Sequence, residues 1–293
     1  MVNVDGFNVS DVPALRSPVV VMAFTGWSDT GTVTADAVQH LVDAYDAERF
    51  LSVDPEEYYD FTETRPTVEI DSLGVRQLKW PRNEAYYARL PQAANDLVIV
   101  SGMEPNLRWR TFSERLSSAL ADLSPSLVCT LVARPAATPH TRPVPVTGSS
   151  ADPALAAKYG LGRSLYQGPT GILGVLHDSL RRRAVPLISL AAGVPHYLNV
   201  DENPPATIAL LQALEPILGV LPPLGDLEAE RERFVQRVEE ASSGDEQIGA
   251  YVHTLEDNYG EDDERPNPEG GELPSTDDIL RDVEDFLRGS TDN

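Results

Sequence analysis

The sequence predicts a three-layer α/β/α domain with a mainly parallel sheet, followed by a helical C-terminal extension. Three observations predict it. Short unbroken apolar runs read as strands covered on both faces. Longer segments with apolar residues at helical spacing alternate with them, the rhythm of βα units. After Pro222-Pro223 the strand-like runs stop and only helical stripes remain.

Residues 19–24 form the first buried run, bounded by Pro18 and by Thr25-Gly26. A helix follows, because Val33, Ala37, Val38, Leu41, Val42 and Tyr45 recur at helical spacing and Ser28, Asp29 or Thr32 can cap it. Residues 50–53, 67–70, 75–80 and 86–90 are short strand-like pieces separated by Pro, Asp and Gly, and read as hairpins or an edge region. The βα rhythm then resumes. Residues 97–101 lead through Gly102-Met103-Glu104-Pro105-Asn106 into a helix with the stripe Phe112, Leu116, Leu120 and Leu123. Residues 127–132 read as another buried strand, 168–183 as a helix with Pro169 in its first turn, 187–191 as a strand and 204–218 as a helix.

These assignments divide the chain into an α/β core over residues 1–222, an αα-hairpin over 223–259, an acidic flexible linker over 260–274 and a terminal amphipathic helix over 275–293. The αα-hairpin rests on two stripes, Leu227, Phe234, Val238, Ala241 and Ile248, Val252, Leu255, Tyr259, separated by the turn Ser242-Ser243-Gly244-Asp245. Ser275 with Asp278 resembles a capping box ahead of the terminal stripe Ile279, Val283 and Phe286, which makes those three the candidate partner-binding residues.

Composition excludes several chemistries. The 293 residues carry 23 Lys and Arg against 46 Asp and Glu, a net charge of −23, and the last 73 residues hold 22 of those acids and 6 of those bases. Such a surface repels phosphate backbones and acidic lipid heads, so neither nucleic acid nor membrane is an expected partner. No apolar run approaches the length of a membrane span and no secretion signal is visible, so a cytoplasmic protein is expected. The single Cys129 cannot form an intrachain disulfide or a Cys-rich zinc site. The only lysines, Lys79 and Lys158, are followed by Trp80 and Tyr159, which excludes a Walker-type GK[ST] loop. His40, His140, His177, His196 and His253 show no HxH, HxxxH or HExxH spacing, and there is no GxSxG elbow, so neither metal nor cofactor is expected.

In α/β sheets ligands sit beyond the carboxyl ends of the strands. Three loops stand out there. Gly26-Trp27-Ser28-Asp29-Thr30-Gly31 offers a flat aromatic face in Trp27 and a carboxylate in Asp29, which serve a ligand or only pack and cap. Gly102 to Arg110 places Arg108 and Arg110 at a helix start, against the macrodipole. Glu104 within the chain or a bound anion must offset them, with Arg65 as a third cation. Gln167-Gly168-Pro169-Thr170-Gly171 makes Gly168 and Thr170 candidates at a helix N-terminus, although GxxGxxG is not a dinucleotide fingerprint and Gly171 and Gly174 are better read as packing positions. His196 is the best lone acid/base candidate, weighed against a hydrogen-bonded pair with its neighbour Tyr197.

In order along residues 15–220, Gly26-Trp27-Ser28-Asp29-Thr30-Gly31, Asp60-Phe61-Thr62 with Arg65-Pro66, Gly102-Met103-Glu104-Pro105 with Arg108-Trp109, Gly168-Pro169-Thr170-Gly171 and Val194-Pro195-His196-Tyr197 resemble the proteasome-assembly-chaperone-2 family in its actinobacterial branch. The resemblance implies a fold similar to the purine nucleoside phosphorylase and peptidyl hydrolase class. It does not imply their activity. Eukaryotic and archaeal relatives act on the proteasome's α-subunit ring and dock through a hydrophobic-Tyr-X tail, which Ser290-Thr291-Asp292-Asn293 does not match. Two readings follow. The first is a non-enzymatic assembly-chaperone-like or interaction protein whose partner is a proteasome subunit or another protein. The second is a small-molecule enzyme or binder of a nucleoside-like or anionic ligand, using Trp27, Asp29, Arg65, Glu104, Arg108 and His196. The first is preferred, so no catalysis is expected. Self-association into a closed homo-oligomer, a trimer among the options, is also expected, with Trp80, Tyr86 and Tyr87 as the candidate interface.

Overall fold

The structure is a computed structural model that describes residues 2–198, 200–243 and 246–259. The expected linker over 260–274 and terminal helix over 275–293, with Ile279, Val283 and Phe286, lie outside the described residues.

Eleven strands are found among them: β1 (Val2–Val4), β2 (Phe7–Val9), β3 (Val19–Thr25), β4 (Glu48–Val53), β5 (Thr67–Ile70), β6 (Arg76–Lys79), β7 (Asn83–Ala88), β8 (Leu97–Met103), β9 (Leu127–Ala136), β10 (Val146–Ser149) and β11 (Leu187–Pro195). The helices are α1 (Val33–Ala44), α2 (Trp109–Asp122), α3 (Pro153–Tyr159), α4 (Ile172–Arg182), α5 (Pro204–Ala213), α6 (Glu215–Leu218), α7 (Leu227–Ser243) and α8 (Glu246–Asp257).

Nine strands make one sheet in the order β1-β2-β4-β7-β8-β3-β9-β11-β10, and among the described residues β5 and β6 pair only with each other. The three layers follow from side-chain alternation along β3. Val19, Val21 and Ala23 join a core with Val33, Val38 and Leu41 of α1 and Leu210 and Leu211 of α5. Val20, Met22 and Phe24 point the other way, to Phe112, Leu116 and Leu120 of α2 and Leu173, Leu176 and Leu180 of α4. With apolar layers on both faces, all six residues are 3% exposed or less.

The expectation of a mainly parallel sheet holds only for its centre. β8, β3, β9 and β11 run parallel. The pairs β1·β2, β2·β4, β4·β7, β7·β8 and β10·β11 are antiparallel, so the sheet is mixed. The reason is the connections. A parallel neighbour needs a crossover of a dozen or more residues, whereas β7 reaches β8 through residues 89–96, too few for a helix to pass over the sheet. At the amino edge Asp96 anchors the first parallel pair. Its carboxylate accepts from the Arg16 backbone N–H (2.8 Å), from Arg16 Nε (3.1 Å) and Nη2 (2.6 Å), and from the Leu90 N–H (3.3 Å). Burial alone would raise this carboxyl, but the Arg16 bonds outweigh it and hold it below the usual carboxylate range.

The β5–β6 hairpin closes on Asp71, whose Oδ1 accepts from the N–H groups of Leu73 and Val75, both at 2.9 Å. Gly74 supplies the left-handed φ of +78° that this turn requires. After α6, α7 packs against α5 and α8 against α7, burying Phe234, Val238, Val252 and Leu255.

Candidate functional site

The four parallel strands end at one edge of the sheet, where the exit loops meet. Asp29 is half-buried, and its carboxylate accepts from the N–H groups of Thr34 (2.9 Å) and Ala35 (3.3 Å) at the start of α1. It therefore caps α1 from five residues upstream. Burial pushes its carboxyl up to about 6, against the opposing pull of those same bonds.

Glu104 belongs to a second junction. Its backbone N–H donates to Thr25 O (2.9 Å) at the end of β3, and its Oε2 accepts the Ile172 N–H (2.7 Å), satisfying a free donor at the start of α4. Trp27 is 69% exposed, yet its Cβ lies beside Gly171. A Cβ at position 171 would come within 2.6 Å of Glu104 Oε2 and 3.2 Å of Trp27, so only glycine lets the three segments meet. Gly174, read as a helix-packing position, instead leaves room for the Thr170 side chain of its own chain segment. Gly168 packs beside the exposed Tyr166, whose hydroxyl donates to Pro169 O (2.8 Å).

Arg108 lies elsewhere. Its guanidinium pairs with Glu57 and Asp5 and sits 5.4 Å over the ring of Tyr58, next to the β1–β2 turn. The offset for this helix-start arginine thus comes from within the chain, though not from Glu104. His196 occupies a further place. Its Nδ1–H donates to Ala136 O (2.9 Å), and that tautomer leaves Nε2 to accept from the Tyr251 hydroxyl (2.9 Å) of α8. Tyr197 and Tyr251 stand edge-on to its ring, and the Tyr197 hydroxyl contacts His140 N and Nδ1, both at 2.7 Å.

A cleft of about 320 Å³ opens between the ends of β3 and β8, α1 and the β5–β6 hairpin. Among the eight ligand candidates only Arg65 lines it. Lys79, Arg82, Ser101 and Tyr86 were not expected as ligand-site residues but line it too. The buried Glu84 pairs there with Arg49 and accepts from the Tyr86 hydroxyl (2.6 Å). Thr25 Oγ1, also at the cleft, is buried without a hydrogen-bond partner among the described residues. Among the described residues no group of three or more His, Cys, Asp and Glu is placed to hold a metal, and no helix is long and apolar enough to cross a membrane.

Comparison with known proteins bears on this geometry. The crystal structure of a PAC2 family protein from Streptomyces avermitilis shares 42% identity, with 80% of this chain and 99% of that chain covered and a TM-score of 0.73. A Mycobacterium tuberculosis protein described as a proteasome-assembly chaperone homologue, Rv2125, shares 40% identity over 80% of this chain and 99% of its own, with a TM-score of 0.71. PbaB of Pyrococcus furiosus, described as an archaeal proteasome activator, is 19% identical over 80% of this chain and 97% of that one, with a TM-score of 0.60, a likeness of fold. No curated protein matches. The PAC2 family profile matches residues 23–242, from within β3 to the end of α7, and so takes in the exit loops and the cleft. On that match and on the two actinobacterial relatives, as the ordered loop motifs led one to expect, the chain belongs to the PAC2 family.

Proposed function

We propose that this chain is a non-enzymatic, assembly-chaperone-like protein whose partner is a proteasome subunit. One observation carries this reading: the polar side chains of the exit loops are committed to separate structural bonds. Asp29 caps α1, Glu104 caps α4, Arg108 pairs with Glu57 and Asp5, and His196 bridges Ala136 and Tyr251. A catalytic centre needs such groups converging on one reacting atom. The relative described as a proteasome-assembly chaperone homologue supports the partner class. A fold of the purine nucleoside phosphorylase-like class, a cytoplasmic location and a closed cyclic homo-oligomer, with a trimer among the options, belong to the same proposal.

The test is to mix the full chain with purified actinobacterial proteasome α-subunits and follow complexes by native mass spectrometry. A complex, together with faster appearance of assembled particles, is expected. Absence of both overturns the proposal. A second reading, binding of a small anionic ligand, is favoured by the cleft lined by Arg65 and Arg82. Thermal upshift by inorganic phosphate or a nucleoside monophosphate, abolished in Arg65→Ala, would establish that reading instead.

A further inference from the structure

Six apolar side chains of the hairpin region stand in solvent: Val68 (45% exposed), Ile70 (70%), Leu73 (85%), Val75 (51%), Leu78 (59%) and Trp80 (41%). Val68 pairs with Leu78 and Ile70 with Arg76, so alternation gathers Val68, Ile70, Leu78 and Arg76 on one face. The other face carries Thr67 and Lys79 and looks onto the cleft. A two-stranded hairpin has little stability of its own in water, and a contiguous apolar patch of this kind marks a surface meant to be covered.

Charge narrows the choice of what covers it. Residues 64–82 hold four bases, Arg65, Arg76, Lys79 and Arg82, against the acids Glu69 and Asp71, a positive stretch in a chain of net charge −23. Lys79 is paired with Glu69 at 3.4 Å. Among the described residues Arg65, Arg76 and Arg82 have no ion pair.

Residues 260–293 hold 12 acids and 3 bases, and within them Ile279, Val283 and Phe286 repeat at helical spacing among Asp278, Asp282 and Asp285. The chain enters this segment after Tyr259, whose hydroxyl donates to Pro143 O (2.7 Å) in the connection between β9 and β10. That connection starts from the edge where the cleft opens. From β10 to β7 there are five strand spacings, roughly 24 Å. Fifteen residues, 260–274, intervene, and a chain of that length reaches up to about 50 Å.

We propose that segment 275–293 of the same chain lays its Ile279–Val283–Phe286 stripe on the Val68–Ile70–Leu78 face of the hairpin, with its acids against Arg76 on that face. The two surfaces match twice, in apolar character and in charge. The hairpin is then self-covered, and anything else that uses this face must displace the tail. This inference goes beyond the proposed role and does not depend on it.

The test is hydrogen exchange on the full chain, read at the amides of residues 67–79, with Trp80 fluorescence as a second readout. Ile279→Asp with Phe286→Asp should lower protection of those amides about tenfold while leaving β3 and β8 unchanged. Arg76→Glu should do the same, and high salt should mimic it. Because a change within the hairpin could disturb local folding, the tail double variant is the deciding one. Equal protection in the wild type and that variant overturns the proposal. So does protection that rises with protein concentration, which would make a second copy the occupant, and so does protection conferred by inorganic phosphate regardless of the tail sequence.

Discussion

Ile99 and Ile70 are both strand isoleucines, one 0% and the other 70% exposed. Ile99 lies in β8, with helices over both faces of its sheet, and Ile70 lies in β5, paired only with β6. Val21 and Val68 repeat the contrast at 0% and 45%. Full burial of such a side chain is worth about 1.5 to 3 kcal/mol, so the parallel centre gains stability residue by residue where the hairpin gains little. Residue type therefore does not decide burial in this chain; what covers the strand decides it. The parallel centre is covered by its own helices, whereas among the described residues the apolar face of the hairpin stands uncovered.

The contrast can be broken most directly at Phe24. It is 1% exposed and packs edge-on against Phe112 at 6.0 Å. Phe24→Ala should lower unfolding free energy by about 3 to 5 kcal/mol in a guanidinium titration. A loss under 1 kcal/mol would show that the centre is less tightly packed than its burial implies. Next in size is Asp96→Ala, which strips four donors of their acceptor and should cost about 2 to 4 kcal/mol at pH 7. Because the Asp96 carboxyl is held below its unfolded value, its contribution is present above that value, near 4, and is lost as pH falls. Wild type and Asp96→Ala should therefore converge in acid.

Asp29 has the opposite sign. Its carboxyl is raised to about 6 in the folded chain, so the folded state binds the extra proton and stability falls as pH rises from about 4 to 6. Asp29→Asn keeps an acceptor for α1, and the difference between it and the wild type should grow by about 2 kcal/mol across that window. A flat difference would mean that Asp29 is better solvated than its position suggests. The smallest effect is expected on the hairpin itself. Ile70→Ser should shift stability by no more than about 0.5 kcal/mol beyond any loss of tail contact, and a change as large as that at Phe24 would erase the contrast.

The parallel centre was legible because an unbroken run such as Val19 to Phe24 makes sense only between two apolar layers. The antiparallel flank was legible in part, as short pieces that read as hairpins or an edge region, and β5–β6 is such a hairpin. That β4 and β7 join the main sheet antiparallel was not, since strand direction depends on the connections, and residues 54–82 hold a hairpin and a short 3-10 turn rather than an α-helix. The β1–β2 hairpin had a readable signal in Asp5-Gly6, both in left-handed conformation, but three-residue strands give too little alternation to support it. α3 likewise had Asp152 ahead of Pro153, a cap and a first-turn proline. At the carboxyl edge, the capping role weighed for Asp29 is what its bonds show. Glu104 was one of two alternatives, with a bound anion, for offsetting Arg108. It bonds instead to Ile172, 68 positions along the chain, a partner that no local pattern announces. Lys79 and Arg82 were missed because they meet Arg65 only when the hairpin folds back.

The order of strands also sets a schedule during synthesis. β3 is the first central strand to leave the ribosome, yet its neighbours β8 and β9 begin at Leu97 and Leu127. At roughly 5 to 20 residues per second, Val19 to Phe24 wait several seconds for β8 and longer for β9. For that interval the most apolar strand of the sheet has two open edges, the condition under which nascent chains pair with one another. The strand that the finished molecule protects best is the one its birth exposes longest.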